Sequence, residues 1–346
     1  MIPCAADSQT WLSSPSLVLN FTHCMSVLVF PLHLLGAFCI LKKTPSSMSS
    51  VKWTILNLHA WNTLFDAILN VLVVPCLLLP SVSGYLVGVL GDLGVPLPIQ
   101  AWILVTASGF VCFSTTMIFE NRFYLLIAKN TRWKVIRRFW ILANTFFCFA
   151  YLAILQFPDQ QLAREHVLNV LILPPPIDFQ SAIFQNLPCV PEFLSETEIV
   201  VPTTDSSVFF ISALGFVAVV FGQLVVFTTI IAVELSSNFG ANVLSAETRR
   251  LQKNLLKALI LQTGIPFVFM GLPVALGSFV ISTGYFDLGL NNVIIIIASF
   301  HGFVSTSSII LIHSAYRKTV TSMFQRRNHR ISVPTSRPIH SSTQSN

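Results

Sequence analysis

The stretch LVLNFTHCMSVLVFPLHLLGAFCILKK, residues 17–43, decides the class of fold. It contains no Asp, Glu, Lys or Arg until Lys42 and Lys43 end it. A helix of about 20 apolar residues is long enough to cross the hydrocarbon core of a bilayer. Residues 17–41 are therefore predicted to form a membrane-spanning helix with a basic end in the aqueous phase.

Six further stretches repeat this pattern along the chain. The seven predicted spans are 17–41, 54–79, 99–119, 139–157, 208–233, 258–281 and 288–313. Only the second contains an acidic or basic side chain, that of Asp66. Charged residues make up 10% of the chain, against about 25% in soluble domains, and the mean hydropathy is +0.73. The sequence thus predicts an all-α membrane protein built as a seven-transmembrane helix bundle.

The basic residues predict the orientation of this bundle. All but one of the 20 lysines and arginines fall in residues 42–53, 120–138, 234–257 and 314–346, and the exception is Arg164. Segments rich in Lys and Arg remain on the cytoplasmic side of a membrane. Residues 1–16 are therefore predicted to be extracellular and the tail 314–346 cytoplasmic. These basic residues lie next to membrane lipid, which explains the pI near 9.0 without a nucleic-acid partner.

The tail and two cysteines complete the regions outside the spans. From Gln325 onward the tail is rich in Ser, Thr, Arg and Pro and has no apolar periodicity, so it is predicted to be disordered. Cys4 and Cys189 are the two of seven cysteines that lie clearly outside a span, and both fall on the oxidising face. A disulfide bond between Cys4 and Cys189 is predicted, with two free thiols as the alternative.

A polar stripe is predicted within span two. His59, Asn62, Asp66 and Asn70 lie within about 80° of one another around a helix. A carboxylate at mid-membrane is costly unless it is paired or faces water, so this stripe should face the bundle interior. Two interpretations stay open. The stripe is a cation or proton site that a conformational change makes or breaks, or it is a hydrogen-bonded structural network joining spans one, two and seven.

The inner ends of spans three and six carry a possible conformational latch. Glu120 and Arg122 flank Asn121 where span three ends, and a carboxylate and a guanidinium so placed can pair locally or with another helix. Pro266 interrupts span six and removes one helical hydrogen bond, which predicts a kink. The inner half of span six would then be able to move about this kink.

Signals of enzymatic chemistry are absent from the sequence. The eight histidines show neither an H-E-x-x-H motif nor clustered ligand spacing. There is no phosphate-binding loop, no G-x-S-x-G motif and no pair of carboxylates in a span. We therefore expect a protein that is not an enzyme and that uses no metal or cofactor.

A set of short motifs extends over residues 17–320. The set comprises Pro31-Leu-His33, Gly36 to Pro45, Leu56-Asn-Leu-His59, Phe119-Glu-Asn-Arg122-Phe123, Pro158-Asp-Gln160, Leu187-Pro-Cys189-Val-Pro191, Thr248-Arg-Arg-Leu-Gln252, Ile265-Pro266, Asn291-Asn292, His301-Gly302, Ser305-Thr306 and His313-Ser-Ala-Tyr316-Arg317. Together these motifs resemble the nematode serpentine receptors of class h, a branch of the chemosensory G-protein-coupled receptors. One position departs from the family pattern, because Ala315 stands where the family usually has proline before Tyr316 and Arg317, which end span seven.

The resemblance implies a function and a location. A member of this family is expected in the plasma membrane of sensory neurons, in the cilium. It would bind an odorant or another small environmental molecule within the bundle and activate a heterotrimeric G protein. The G-protein face is expected at the inner ends of spans three, five and six, lined by Arg122, Arg249, Arg250, Lys253 and Lys257.

Two other functional classes stay open. A ligand-gated channel with seven spans is one, although the insect type of such channels has its N-terminus inside, against the distribution of Lys and Arg. A transporter is the other, although the sequence shows no internal repeat of the kind that many transporters have.

The predicted orientation can be tested with epitope tags. A tag before Met1 should be stained by antibody on cells whose membranes are intact, because the first segment lacks Lys and Arg. A tag after Asn346 is the matched control and should be stained only after permeabilisation. Staining of the N-terminal tag only after permeabilisation would contradict the orientation.

Overall fold

A computed structural model describes residues 11–150, 161–162, 165–166, 197–202, 206–236 and 245–331. These ranges are mostly helical. The α-helices are α1 (Pro15–Lys43), α2 (Ser49–Ala67), α3 (Val89–Asp92), α4 (Leu97–Phe123), α5 (Trp133–Ala150), α6 (Ser206–Ser236), α7 (Ala246–Thr283), α8 (Leu288–Ser299), α9 (His301–Ile312) and α10 (Ser314–Ile331). Short 3₁₀ turns precede α1 and α2, and π-helical turns extend α2 to Leu72 and α4 to Ala128.

Within the described ranges, five helical segments are long and apolar enough to cross a membrane. They are Pro15–Lys43, Leu97–Ala128, Ile211–Ser236, Ala246–Thr283 and Leu288–Ile312. Helices α2 and α5 correspond to the remaining predicted spans, two and four, and α5 is described only as far as residue 150. Large apolar side chains such as Val27, Phe146 and Val268 are exposed on the outside of the bundle. That pattern is typical of a surface that faces lipid, where apolar groups need no further cover.

Span two is shorter than predicted, so its predicted extension to residue 79 is wrong. After the π-helical turn Ile68–Leu72 the chain forms strand β1 (Pro75–Leu77), which pairs antiparallel with β2 (Gly84–Leu86). Pro75 has no backbone N–H to continue a helix and restricts the residue before it. That residue, Val74, has a φ of 40°. Residues 73–79 are apolar because most of them are buried where the chain enters and forms this hairpin, and not because they continue the helix.

The hairpin lies across one end of the bundle. Its side chains and those of Ile199 and Val201 form a buried apolar cluster with Val18 of α1 and Ile295 of α8. The backbone N–H of Gly84 donates to the carbonyl of Val200 at 3.0 Å, and the N–H of Val200 donates back at 2.7 Å. The hairpin therefore joins the described part of the long predicted outer loop to the helices.

Helix α7 begins 12 residues before the predicted start of span six. Ser245 caps it, because its hydroxyl accepts the N–H of Thr248 at 3.2 Å. The helix continues without interruption past Pro266 and Pro273 to Thr283. The basic segment at the start of α7 and the membrane-spanning segment are therefore one continuous helix.

The end of the described chain differs from the predicted disorder. Residues 314–331 form α10, so the prediction of disorder from Gln325 onward is wrong for residues 325–331; residues 332–346 lie outside the described ranges. Tyr316 holds the start of α10 to the bundle, because its side chain is fully buried and its hydroxyl lies 2.7 Å from that of Thr44 at the end of α1. Burial raises the pKa of the Tyr316 phenol, although the Thr44 hydrogen bond lowers it.

A second apolar cluster holds the other end of the bundle together. It unites α1, α2, α4, α6, α7, α9 and α10 through buried residues that include Ile40, Ile55, Ile118, Ile231, Leu259, Ile309 and Tyr316. Polar residues lie between this cluster and the one beneath the hairpin. Span seven is divided in that region at Phe300, where α8 ends and α9 begins.

Candidate functional site

Asp66 is the centre of a buried polar network. Its side chain is 4% exposed. The amide of Asn70, one helical turn further, donates to Oδ1 at 2.9 Å, and His33 Nε2 of α1 lies 3.3 Å from Oδ2. The other ring nitrogen of His33, Nδ1, lies 2.8 Å from the hydroxyl oxygen of Thr306 in α9. One carboxylate thereby connects α1, α2 and α9.

The rest of the predicted stripe lies in the same network. His59 Nε2 donates to the carbonyl of His33 at 3.0 Å, and Asn62 Nδ2 donates to the hydroxyl of Ser305 at 2.6 Å. Both side chains are buried. The stripe thus contacts spans one and seven, as the structural interpretation requires. A switch function for the same residues remains a proposal.

Glycine at position 302 permits the close approach of α2 and α9. A methyl group added at Gly302 would overlap the carboxylate of Asp66. Any larger side chain would have to push α9 away from α2 or displace the carboxylate from its partners. His301, beside it, is buried and packs edge-to-face against Phe65 with ring centroids 5.6 Å apart.

The predicted latch between Glu120 and Arg122 is replaced by a different pair. Glu120 is fully buried, and its carboxylate accepts Trp133 Nε1 at 2.8 Å and Arg137 Nε at 3.0 Å. Arg137 Nη2 lies 2.9 Å from the same carboxylate, and the guanidinium lies over the ring of Tyr124. Glu120 therefore joins α4 to α5. The sequence did not reveal this, because six basic residues lie near the inner end of α4 and only the packing of α5 selects one of them.

Arg122 is buried beside α2 instead of forming an ion pair with Glu120. It is 4% exposed, and its Nη1 lies 3.4 Å from the hydroxyl of Ser50. Within the described part of the chain its Nε and Nη2 have no hydrogen-bond partner. Asn121 next to it donates to the carbonyl of Ser50 at 3.1 Å and accepts Arg137 Nη2 at 3.2 Å.

The other basic residues of the predicted inner face lie on α7. Arg250, Lys253 and Lys257 are exposed, and Arg249 is half-buried. Arg250 pairs with Glu247 on the same helix at 3.0 Å, with both side chains exposed, so this contact is worth little for stability. The structure therefore separates the predicted set into one buried arginine and a basic segment of α7.

Two cavities that sequence reasoning did not find lie between the helices. The outer cavity has a volume of about 470 Å³ and is bounded by the hairpin, α4, α6, α7 and α8. Its wall includes Tyr85, Leu104, Leu214, Pro273, Gly277 and Ile295. The deeper cavity has a volume of about 290 Å³, and Val217 and Val274 belong to the walls of both. No periodicity in one segment reveals such a space, because residues of several distant segments enclose it.

Comparison with known proteins identifies the family. Residues 13–326 match the family model described as Serpentine type 7TM GPCR chemoreceptor Srh. The chain belongs to this family. A relative, Serpentine receptor class H-72 of Caenorhabditis elegans, is 27% identical over 308 residues, which are 88% of this chain and 84% of the relative. The resemblance to class h serpentine receptors is therefore confirmed, and with it the multi-pass membrane architecture.

Substitution of Gly302 tests the close packing of this family member around Asp66. Gly302→Ala should lower stability by about 1–3 kcal/mol, because a methyl group has no room beside the carboxylate. The measurement is the thermal unfolding midpoint of the purified protein. Gly264→Ala on α7 is the matched control, because nothing lies within 4 Å of an added methyl group there. The loss should shrink when Asp66→Ala is combined with Gly302→Ala, and an unchanged loss would contradict the overlap.

Substitution of Arg137 tests the ion pair with Glu120. Arg137→Met should lower stability by roughly 3 kcal/mol, because it leaves a fully buried carboxylate without its cation. Arg138→Met is the control, since Arg138 is the neighbouring exposed arginine. Adding Glu120→Gln to Arg137→Met should restore part of the unfolding midpoint. If Arg137→Met and Arg138→Met lower the unfolding midpoint equally, the Arg137–Glu120 ion pair contributes no more to stability than an exposed arginine does.

Proposed function

We propose that this chain is a chemosensory G-protein-coupled receptor that binds a small, largely apolar molecule in the outer cavity. The observation that carries the proposal is the cavity itself. Its volume of about 470 Å³ lies within the roughly 300–1,000 Å³ of known small-molecule sites. Among the described residues that line it, none is Asp, Glu, Lys, Arg or His. A charged ligand would lack a counterion there, whereas an apolar ligand would gain by leaving water.

The position of the cavity supports a receptor function. Its walls include residues of α6 and α7, among them Leu214 and Pro273. Because α7 is one continuous helix to Ala246, a ligand that shifts Pro273 or Gly277 also moves the basic inner end. Such a ligand needs only to bind two arrangements of the bundle with different affinity to change their populations.

The inner face is the proposed docking surface for a heterotrimeric G protein. Arg250, Lys253 and Lys257 are exposed at the inner end of α7, with Arg249 beside them. Arg122 is covered in this arrangement. We propose that displacement of α7 opens a cleft in which Arg122 meets a helix of the partner.

The Asp66 network is proposed to set the balance between the two arrangements. It connects three spans through hydrogen bonds between buried side chains, so a rearrangement of α9 would have to exchange its partners. The ciliary location and the Cys4–Cys189 disulfide remain proposals. Both cysteines lie outside the described residues.

The experiment combines a ligand screen with a cavity-filling variant. The protein, reconstituted with a G protein, is screened against small volatile compounds, and nucleotide exchange is measured. For an agonist so found, Ala213→Phe should raise the half-maximal concentration about tenfold or more, because Ala213 lines the outer cavity and a phenyl group would occupy it.

Ala218→Phe is the matched control, since Ala218 is exposed on the same helix and lines neither cavity. It should respond like the wild type. Equal sensitivity of both variants would place the ligand elsewhere. An agonist-driven current without nucleotide exchange would favour the channel, and substrate accumulation in vesicles would favour the transporter.

A further inference from the structure

We infer that the deeper cavity binds a neutral hydroxyl group, so that the ligand of this receptor is a small alcohol with an apolar tail. The inference rests on the proposed function, because it places the tail of the ligand in the outer cavity. Val217 and Val274 belong to the walls of both cavities, so the cavities are neighbours, and the inferred ligand extends from one into the other past these side chains.

Three buried polar side chains belong to the wall of the deeper cavity, and each has one atom without a hydrogen-bond partner within the described protein. Asn62, Gln262 and His301 are each 2% exposed. Asn62 Oδ1, Gln262 Nε2 and His301 Nδ1 have no partner in the part of the chain that the structure describes. Each comes from a different span. Buried polar atoms are normally paired, so three around one cavity indicate a binding site for a polar group.

The hydrogen bonds that these side chains do make determine which atoms remain. Asn62 Nδ2 donates to the hydroxyl of Ser305 at 2.6 Å, which leaves the carbonyl oxygen of the amide as an acceptor. Gln262 Oε1 accepts His313 Nε2 at 2.6 Å, which leaves the amide nitrogen as a donor. The unpaired donor is therefore Gln262 Nε2 and the unpaired acceptor is Asn62 Oδ1. Both amides are already oriented by the hydrogen bonds to Ser305 and His313.

A hydroxyl group matches this combination. It accepts a hydrogen bond through its oxygen and donates one through its proton, whereas an aldehyde, ketone or ether only accepts. Of the residues that the structure describes, no Asp, Glu, Lys or Arg lines the deeper cavity. A carboxylate or an ammonium group would be buried there without a counterion, which is far more costly than burying a neutral hydroxyl. An alcohol is therefore the class of ligand that fits the two cavities together.

The test measures binding directly and needs no G protein. Purified receptor in lipid nanodiscs is titrated with straight-chain primary alcohols of four to ten carbons and with the 1-chloroalkanes of equal length. The thermal unfolding midpoint reports the dissociation constant, because a ligand that binds only the folded state stabilises it. In the wild type, the best alcohol should bind at least as tightly as its chloroalkane, although leaving water costs the alcohol more.

Two variants remove the unused atoms. Gln262→Met and Asn62→Leu should each weaken alcohol binding about tenfold and leave chloroalkane binding unchanged, because a hydrogen bond to the hydroxyl is lost. Gln100→Met and Asn291→Leu are the matched controls. Gln100 and Asn291 are buried, and each has one side-chain oxygen that has no hydrogen-bond partner among the described residues. Neither belongs to the described wall of either cavity. Both controls should keep the wild-type preference.

The outcomes separate this inference from the proposed function. Tighter binding of the chloroalkane than of the alcohol in the wild type would overturn the inference and leave the apolar outer site standing. That comparison uses the unmodified protein and is valid even if a variant fails to fold. Stabilisation by neither series would also overturn it, while the nucleotide-exchange screen would still decide the proposed function.

Discussion

The hydrocarbon core of a membrane contains no water, so the Asp66 carboxylate has to find its hydrogen-bond partners within the protein. They come from Asn70 on its own helical segment and from His33 on α1, whose second ring nitrogen reaches Thr306 on α9. This requirement brings three spans together at one level of the bundle. Gly302 fits the same arrangement, because an added methyl group there would overlap the carboxylate.

The same constraint makes the deeper cavity distinct from the outer one. The wall of the outer cavity, beneath the hairpin, consists almost wholly of carbon atoms. A ligand there therefore needs no hydrogen-bonding group. Near the Asp66 network the wall contains amides and an imidazole, and some of their atoms lack a partner within the described protein. Gln262 links this level to the inner end of the bundle, since it holds His313, whose ring lies 5.3 Å from that of Tyr316. A group bound beside Gln262 would therefore lie one hydrogen bond away from the junction of α9 and α10.

At the end of α4, the packing of the neighbouring helices determines which partners Glu120 and Arg122 contact. Glu120 is enclosed by Trp133 and Arg137 from the beginning of α5, and Arg122, two residues later on α4, faces Ser50 on α2. Two residues two apart on a helix point about 160° away from each other, so they tend to meet different neighbours. The ion pair therefore holds α4 to α5, while the arginine is kept beside α2. Movement of α5 would break the ion pair of Glu120, whereas movement of α2 would uncover Arg122.

The sequence by itself determined that the chain forms a bundle of membrane-spanning helices with a buried polar stripe on span two. Hydropathy is a local property, so stretches without charge predict spans, and a period of 3.6 residues places His59, Asn62, Asp66 and Asn70 on one buried face. The motifs also sufficed to recognise the family. Local signals did not separate an apolar helix from an apolar strand at residues 73–79, because both are buried. Only the tertiary structure decided that boundary, the partner of Glu120 and the two cavities, because each depends on which distant segments pack side by side.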